Sequence, residues 1–362
     1  MVMSRSLAIV HPSPVSLNVV ANDIAKVAAS KGYKVGVFGH ILRVDQVESD
    51  FNHAIVVSTF TPATSKPLML LIRDLNIKGL RSIYYATADG VPLPTTLSDW
   101  LLREVPYIAN STYSKEIMKM VGANVIGVVP HGVDLSISNE AIKSREVVRK
   151  YILRQFGVSD ENFVIFGTVS SSRPRKGLPA YSDVIREVVE SNDKVGFYIF
   201  TENLAKHIFY GIPSVVVDDR FGKLFGPTAR LEVMRLISAF DFYVQPSLCE
   251  GFGLPVLEAL SVGVPVIHID YNPLSEVTTS ECSLRLPYAV VQSVPSNDGL
   301  MYTYHIYEPS GFVELLQYAY SLRTEDKDSY EKMRENAIKR ASEFDIFKVY
   351  PKLLKMLTSS KS

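Results

Sequence analysis

Through its first third the chain alternates short runs of branched apolar residues with longer stretches in which apolar positions recur every three or four. The run 6–10 (SLAIV) reads as a buried strand. A Pro/Ser loop leads from it to a helix near 18–30, with Val20, Ile24, Val27 and Ala28 on one face and Gly32 at its end. Residues 33–39 predict the next strand, and 54–58, 82–86 and 107–109 are further short apolar runs, with a helix at 114–121 among the segments between them. Strand, helix and strand at this rhythm imply right-handed crossovers and a mainly parallel α/β sheet covered by helices on both faces.

A second series follows. After a strand at 125–129 and the loop 130–136 (PHGVDLS), a polar, charged helix is expected over about 139–155, stopping at Gly157. NFVIFGT at 162–168 opens new strands near 196–201, 214–217, 242–245 and 264–269, interleaved with helices. The boundary between the two series falls near residue 137. The expected division is an N-terminal domain over 1–137, a C-terminal one over 138–340 and a last helical stretch, 341–362, that could pack back on the first. Two consecutive open units of this kind put their carboxyl-edge loops around a cleft, the usual ligand position in such folds. Helices are expected at 310–322, 329–344 and 349–357. Residues 286–308 resist assignment and are rich in tyrosine (Tyr288, Tyr302, Tyr304, Tyr307), for which packing is the default reading over an acceptor platform.

Composition narrows the function classes. The 362 residues suffice for two cores, and 38 basic side chains balance 38 acidic ones, so no global field recruits nucleic acid. The two cysteines, Cys249 and Cys282, have no metal-ligand spacing and fit a reducing, cytoplasmic setting. The seven histidines are scattered with no ligand pair at helical spacing, so no metal is expected. No apolar run is long enough to span a bilayer, which leaves peripheral membrane contact open.

Candidate chemistry concentrates in 245–266, QPSLCEGFGLPVLEALSVGVPV. A strand ends at Pro246 and Ser247, a loop carries Glu250, Gly251, Phe252 and Gly253, and Pro255 sits where a helix starts. Glycines let backbone amides approach a ligand, and a helix N-terminus favours a diphosphate. Glu250 in the loop can accept hydrogen bonds from sugar hydroxyls, and Glu258, with seven residues between them, from a ribose. Taken singly, either acid would be read as a solvated loop residue or a helix-dipole partner. A second candidate is the basic loop Arg175, Lys176 and Gly177 after the strand at 164–168, which can neutralise phosphate charge.

The string PSLCEGFGLPVLEAL closely resembles the E-x7-E signature of glycosyltransferase family four, retaining enzymes of the GT-B fold. Further resemblances lie at 110–134, 163–185 and 265–277, so ordered matches run from about residue 107 to 277. The resemblance implies two Rossmann-like domains, a nucleotide-sugar donor that is UDP- or GDP-linked, an unidentified hydroxyl acceptor and no further cofactor. It implies that Glu250 lies against the donor sugar, that Glu258 binds the ribose, and that Arg175 and Lys176 clamp the diphosphate. Two departures stand out. Ser170 replaces the arginine that many members carry six residues before the lysine, and Arg173 is the candidate substitute. The first-strand loop, HPSPVSLN at 11–18, lacks the family's glycines, so Ser16 or Asn18 is the candidate donor there. Asp89, beside Gly90 after a buried strand, is read equally as a turn former and as a contact to sugar or acceptor.

The expected activity is hexose transfer from a nucleotide sugar, retaining and metal-independent, with Glu250, Lys176 and Asp89 nearest the chemistry. The alternatives are a catalytically impaired sugar-nucleotide-binding protein and a nucleotide-sugar epimerase of similar architecture. Asp218 and Asp219 follow a strand without the setting of a metal motif, and His131 lies in the loop between domains.

Overall fold

The computed structural model describes residues 5–12, 15–94, 96–160, 162–220 and 227–359. The chain forms two compact units. The first comprises Met1–Asp134, Ser293–Tyr302 and Glu343–Ser362, and the second Leu135–Gln292 and Thr303–Ser342.

In the first unit the strands are β1 (Ser6–Val10), β2 (Lys34–Phe38), β3 (His53–Thr59), β4 (Arg81–Thr87), the two-residue β5 (Val91–Pro92), β6 (Tyr107–Ala109) and β7 (Val125–Val128). All but β5 form one sheet in the order β2-β1-β3-β4-β6-β7, with its neighbouring strands parallel. The crossovers are α1 (Val15–Ser30), α2 (Val44–Asp50), α3 (Pro62–Ile77), α4 (Asp99–Glu104) and α5 (Thr112–Met120). Because helices cover both faces, β1 is buried along its whole length and β4 along most of it. On one face Val56, Tyr84 and Tyr107 pack with Leu68, Ile72 and Leu101 from the helices.

The second unit repeats the plan. Its strands are β8 (Val164–Val169), β9 (Val195–Phe200), β10 (Val215–Asp218), β11 (Phe242–Gln245), β12 (Val266–Ile269) and β13 (Ser283–Leu286), parallel in the order β10-β9-β8-β11-β12-β13. This is the strand order of dinucleotide-binding sheets, and its direction of winding reverses between β8 and β11. The helices are α6 (Leu135–Ile142), α7 (Arg145–Gln155), α8 (Leu178–Ser191), α9 (Pro227–Ser238), α10 (Leu254–Ser261), α11 (Leu274–Val277), α12 (Pro309–Glu325) and α13 (Lys327–Ser342).

Two sequence expectations need correction. The single helix expected over 139–155 is two, α6 and α7. No Gly or Pro marks the break. A tertiary contact fixes the start of α7 instead, since Arg145 donates to the carbonyls of Ser238 (2.8 Å) and Val262. The unassigned segment 286–308 contains β14 (Val290–Pro295) and β15 (Leu300–Ile306), and Leu300 and Met301 pair antiparallel with Pro92 and Val91 of β5. Two of its tyrosines pack locally. Tyr302 donates to Asp298 (2.7 Å), and Tyr307 meets the edge of Phe312.

The last helix, α14 (Ile346–Ser359), belongs to the first unit. Its Ile346, Val349, Tyr350, Leu353, Leu354 and Leu357 are buried, and the Gly132 amide donates to the Tyr350 hydroxyl at 3.0 Å. A side chain at Gly132 would meet Ile346, its Cβ lying 2.9 Å from that Cγ2. Among the described residues no helix is long and apolar enough to cross a membrane.

Candidate active site

The loops that leave the carboxyl ends of β8 and β11 meet at the point where the second sheet reverses its winding. After β8 the chain makes a single 3-10 turn, Pro174–Lys176, before α8 starts. After β11 it runs through Ser247, Cys249 and Glu250 to Gly253, the residue before α10. The two loops are tied by a backbone bond from the Leu248 amide to the Arg175 carbonyl (2.8 Å). They approach closely at Gly177, whose φ is +68° and whose Cβ, if present, would lie 2.4 Å from the Pro246 carbonyl oxygen. Only glycine meets both conditions without strain.

That approach assembles a buried ionic cluster. Lys176 Nζ lies 2.5 Å from Glu250 Oε1, and Arg175 donates to Glu250 Oε2 (3.3 Å) and to the Cys249 carbonyl (3.1 Å). From beneath, Gln245 Nε2 donates to Glu250 Oε1 (2.6 Å) and to Ser247 Oγ (2.9 Å). The Gln245 orientation is set in turn by the Tyr243 hydroxyl, which donates to its Oε1 at 2.8 Å. Glu250 is only 5 % exposed. Burial alone would raise its carboxyl, but the charges of Lys176 and Arg175, with hydrogen bonds, outweigh that and hold it at about 2. Two cations thus flank one buried carboxylate in a site closed to most solvent.

Glu258 lies in the next helix. It is buried, and Arg230 Nε donates to its Oε1 at 3.2 Å. Burial pushes the Glu258 carboxyl up, and the Arg230 charge opposes that shift. The start of α10 is shaped by Gly253, whose φ of +88° strains any side chain and whose Cβ, if present, would lie 2.5 Å from Leu274 Cδ2, which would have to shift. Gly251 and Phe252 are buried in the same loop.

The structure thus brings together Glu250, Lys176 and Arg175, with Glu258, Gly251, Phe252 and Gly253 on the adjoining loop and helix. Arg173 is exposed ahead of the 3-10 turn. Ser170 is buried, with its amide on the Phe200 carbonyl and its hydroxyl on the Ser171 carbonyl. Ser16 and Asp89 belong to the first unit. Ser16 is exposed in the first turn of α1, which starts earlier than the sequence pattern indicated, and Asp89 is half-buried just past β4. Also in that unit, His131 is buried, with Nδ1 2.9 Å from the Tyr85 hydroxyl and Nε2 3.0 Å from Asn110 Nδ2. Burial lowers it to about 3, so the ring is neutral. Asp218 is held by Arg220 (2.6 Å) and the Tyr198 hydroxyl (2.7 Å), and Asp219 by Lys206 (2.9 Å).

Sequence reasoning missed Arg230 and Gln245. Arg230 meets its partner across 28 positions of chain, so no local motif announces it. Gln245 ends a strand five residues before Glu250, and strand alternation could have flagged it as a polar residue facing inward.

The family model for glycosyl transferases group 1 matches residues 152–283, which include every charged residue of this cluster. Over 344 residues the chain is 26 % identical to an uncharacterized glycosyltransferase of Sulfolobus islandicus rod-shaped virus 1, covering 94 % of this chain and 96 % of that protein. A UDP-Gal:alpha-D-GlcNAc-diphosphoundecaprenol alpha-1,3-galactosyltransferase of Escherichia coli is 29 % identical over 150 residues, 41 % of this chain and 37 % of the relative. Among solved structures, Anabaena HepE in complex with UDP and glucose superposes with a TM-score of 0.66 at 14 % identity, covering 98 % of this chain and all of that one. The likeness is one of fold, and the fold is GT-B.

Proposed function

We propose that the chain, which resembles the glycosyl transferases of group 1 over residues 152–283 and has the GT-B fold, transfers a hexose from a nucleoside-diphosphate sugar to a hydroxyl acceptor, with retention and without a metal ion. The observation that carries this reading is the cluster of Glu250 between Lys176 and Arg175 at the ends of β8 and β11.

In sugar transfer, positive charge develops at the anomeric carbon and negative charge on the departing phosphate. The acceptor oxygen bonds to that carbon as the bond to the phosphate oxygen breaks, and the acceptor proton passes to the leaving phosphate. Lys176 and Arg175 meet the charge of the leaving diphosphate, assisted by the amides at the start of α10. With the cations engaged by phosphate, Glu250 is released from them to accept hydrogen bonds from the sugar hydroxyls. Glu258, steadied by Arg230, takes the ribose. Retention is what the resemblance of 246–260 to the E-x7-E family implies. A UDP-linked hexose is the first donor to try, because HepE was solved with UDP and glucose, and GDP-linked donors come next.

The test separates the two charges. Lys176→Ala should lower kcat/KM by about 100-fold, the scale of losing one preorganised electrostatic donor, and weaken binding of the free nucleoside diphosphate. Glu250→Gln should lose turnover yet bind that diphosphate at least as well as wild type, since the carboxylate competes for the same cations. Equally poor diphosphate binding by both variants, with circular dichroism unchanged, would overturn the assignment. Activity should also survive EDTA. Loss of turnover that Mn²⁺ restores would refute metal independence.

A further inference from the structure

The opposite ends of β8 and β11 border a second charged cavity, of about 460 Å³. Strand length puts it roughly 15–20 Å from the Glu250 cluster. Six cationic side chains line it: Arg145, Arg149, Lys150 and Arg154 from α7, Arg323 from α12 and Arg334 from α13. The chain as a whole has no net charge, so this concentration is local.

Four of the six are fixed in place. Arg145 donates to two backbone carbonyls, of Ser238 and Val262. Arg149 donates to the carbonyls of Phe163 (2.8 Å) and Ala239 (3.2 Å) and to Asp241 Oδ2 (2.9 Å). Arg323 donates to the other oxygen of the same carboxylate, at 2.9 Å, so one buried aspartate serves two guanidinium groups. Arg334 donates to the Gly263 carbonyl and pairs with Glu331. Fastening helices to the sheet edge accounts for these four. It does not account for Lys150 and Arg154, which lie one helical turn apart, are exposed, and pair with no carboxylate among the described residues. Nor does it account for the open space beside them.

We propose that this cavity binds a phosphoryl group, free or carried on a lipid headgroup, at a site separate from the donor cluster. Fixed guanidinium forks match the oxygens of a tetrahedral anion, and the exposed Lys150 and Arg154 can close over it. Against six cations the nearby carboxylates are Asp241, Glu146 and Glu331, so the cavity keeps an excess of positive charge for an anion to neutralise.

The experiment uses full-length protein carrying Lys176→Ala, so that the donor cluster does not answer for the cavity. Inorganic pyrophosphate is titrated by calorimetry. Vesicles of phosphatidylcholine, with and without phosphatidylglycerol, are tested by cosedimentation. Adding Lys150→Glu and Arg154→Glu should weaken the response about tenfold or more, and about 0.5 M salt should suppress it, since these charges are partly solvent-screened. Lys150→Gln with Arg154→Gln, a milder pair, should fall between. A response to pyrophosphate alone identifies a soluble ligand, and one confined to phosphatidylglycerol vesicles identifies a headgroup. No response in the parent overturns the proposal. So does an equal response with and without the cavity substitutions, or an equal loss from the remote reversals Lys31→Glu and Lys119→Glu.

Discussion

At the scale of single residues, the ionised form of Glu250 is stabilised by the fold itself. Its carboxyl falls from 4.5 to about 2 on folding, which corresponds to stabilisation of order 3 kcal/mol at neutral pH. The shift is downward, so this contribution is fully present above about pH 4.5 and is lost as pH falls through about 2. Glu250→Gln should therefore melt lower than wild type at pH 6 to 7, and the two melting curves should converge towards pH 2. A gap that stays constant across that range would mean that the carboxylate is not held by Lys176 and Arg175. At this scale the sequence was legible where chemistry is written locally. Glu250 and Lys176 each have a glycine beside them, and Glu258 follows Pro255 by three residues in the same short string. Arg230 and Arg145 were not legible, because their partners come from elements distant in the chain and their own neighbourhoods are ordinary helix.

Among the elements, the two loops at the reversal of the second sheet depend on a glycine. Gly177 and Gly157 share a left-handed backbone, with φ of +68° and +72°, but a Cβ at Gly157 would have nothing within 4 Å, whereas one at Gly177 would meet the Pro246 carbonyl. Gly157→Ala should cost about 1 kcal/mol, for the backbone alone. Gly177→Ala should cost roughly 2–4 kcal/mol, because the loops must part to admit the methyl group. It should also lower kcat by moving Lys176 away from Glu250. Urea midpoints of the two variants read the difference, and equal midpoints would show that the close approach does not matter. The alternation of strand and helix was readable because buried parallel strands are continuous apolar runs. The break between α6 and α7 was not, because a charged helix without Gly or Pro carries no stop signal and the anchoring of Arg145 decides it.

For the molecule as a whole, the chain returns to its beginning. The six buried side chains of α14 contribute of order 10 kcal/mol to the first unit at about 1.5–3 kcal/mol each, as much as the net stability of an ordinary domain. A chain ending at residue 342 should keep a cooperative second unit and lose the first. Limited proteolysis should then cut throughout 1–134 while sparing 135–292. Uniform resistance would show that α14 is dispensable. No periodicity could reveal which sheet this helix joins, because its amphipathic pattern would suit either one. The discontinuity also sets a timetable for synthesis. On a ribosome the strands of the first sheet emerge earliest, yet α1 must wait more than three hundred residues for α14 to lie against it. The unit made last can be complete before the unit made first. Until translation passes residue 359, part of an apolar surface, on α1 and β4, stays uncovered, and chaperones that hold such surfaces would find their longest occupancy there.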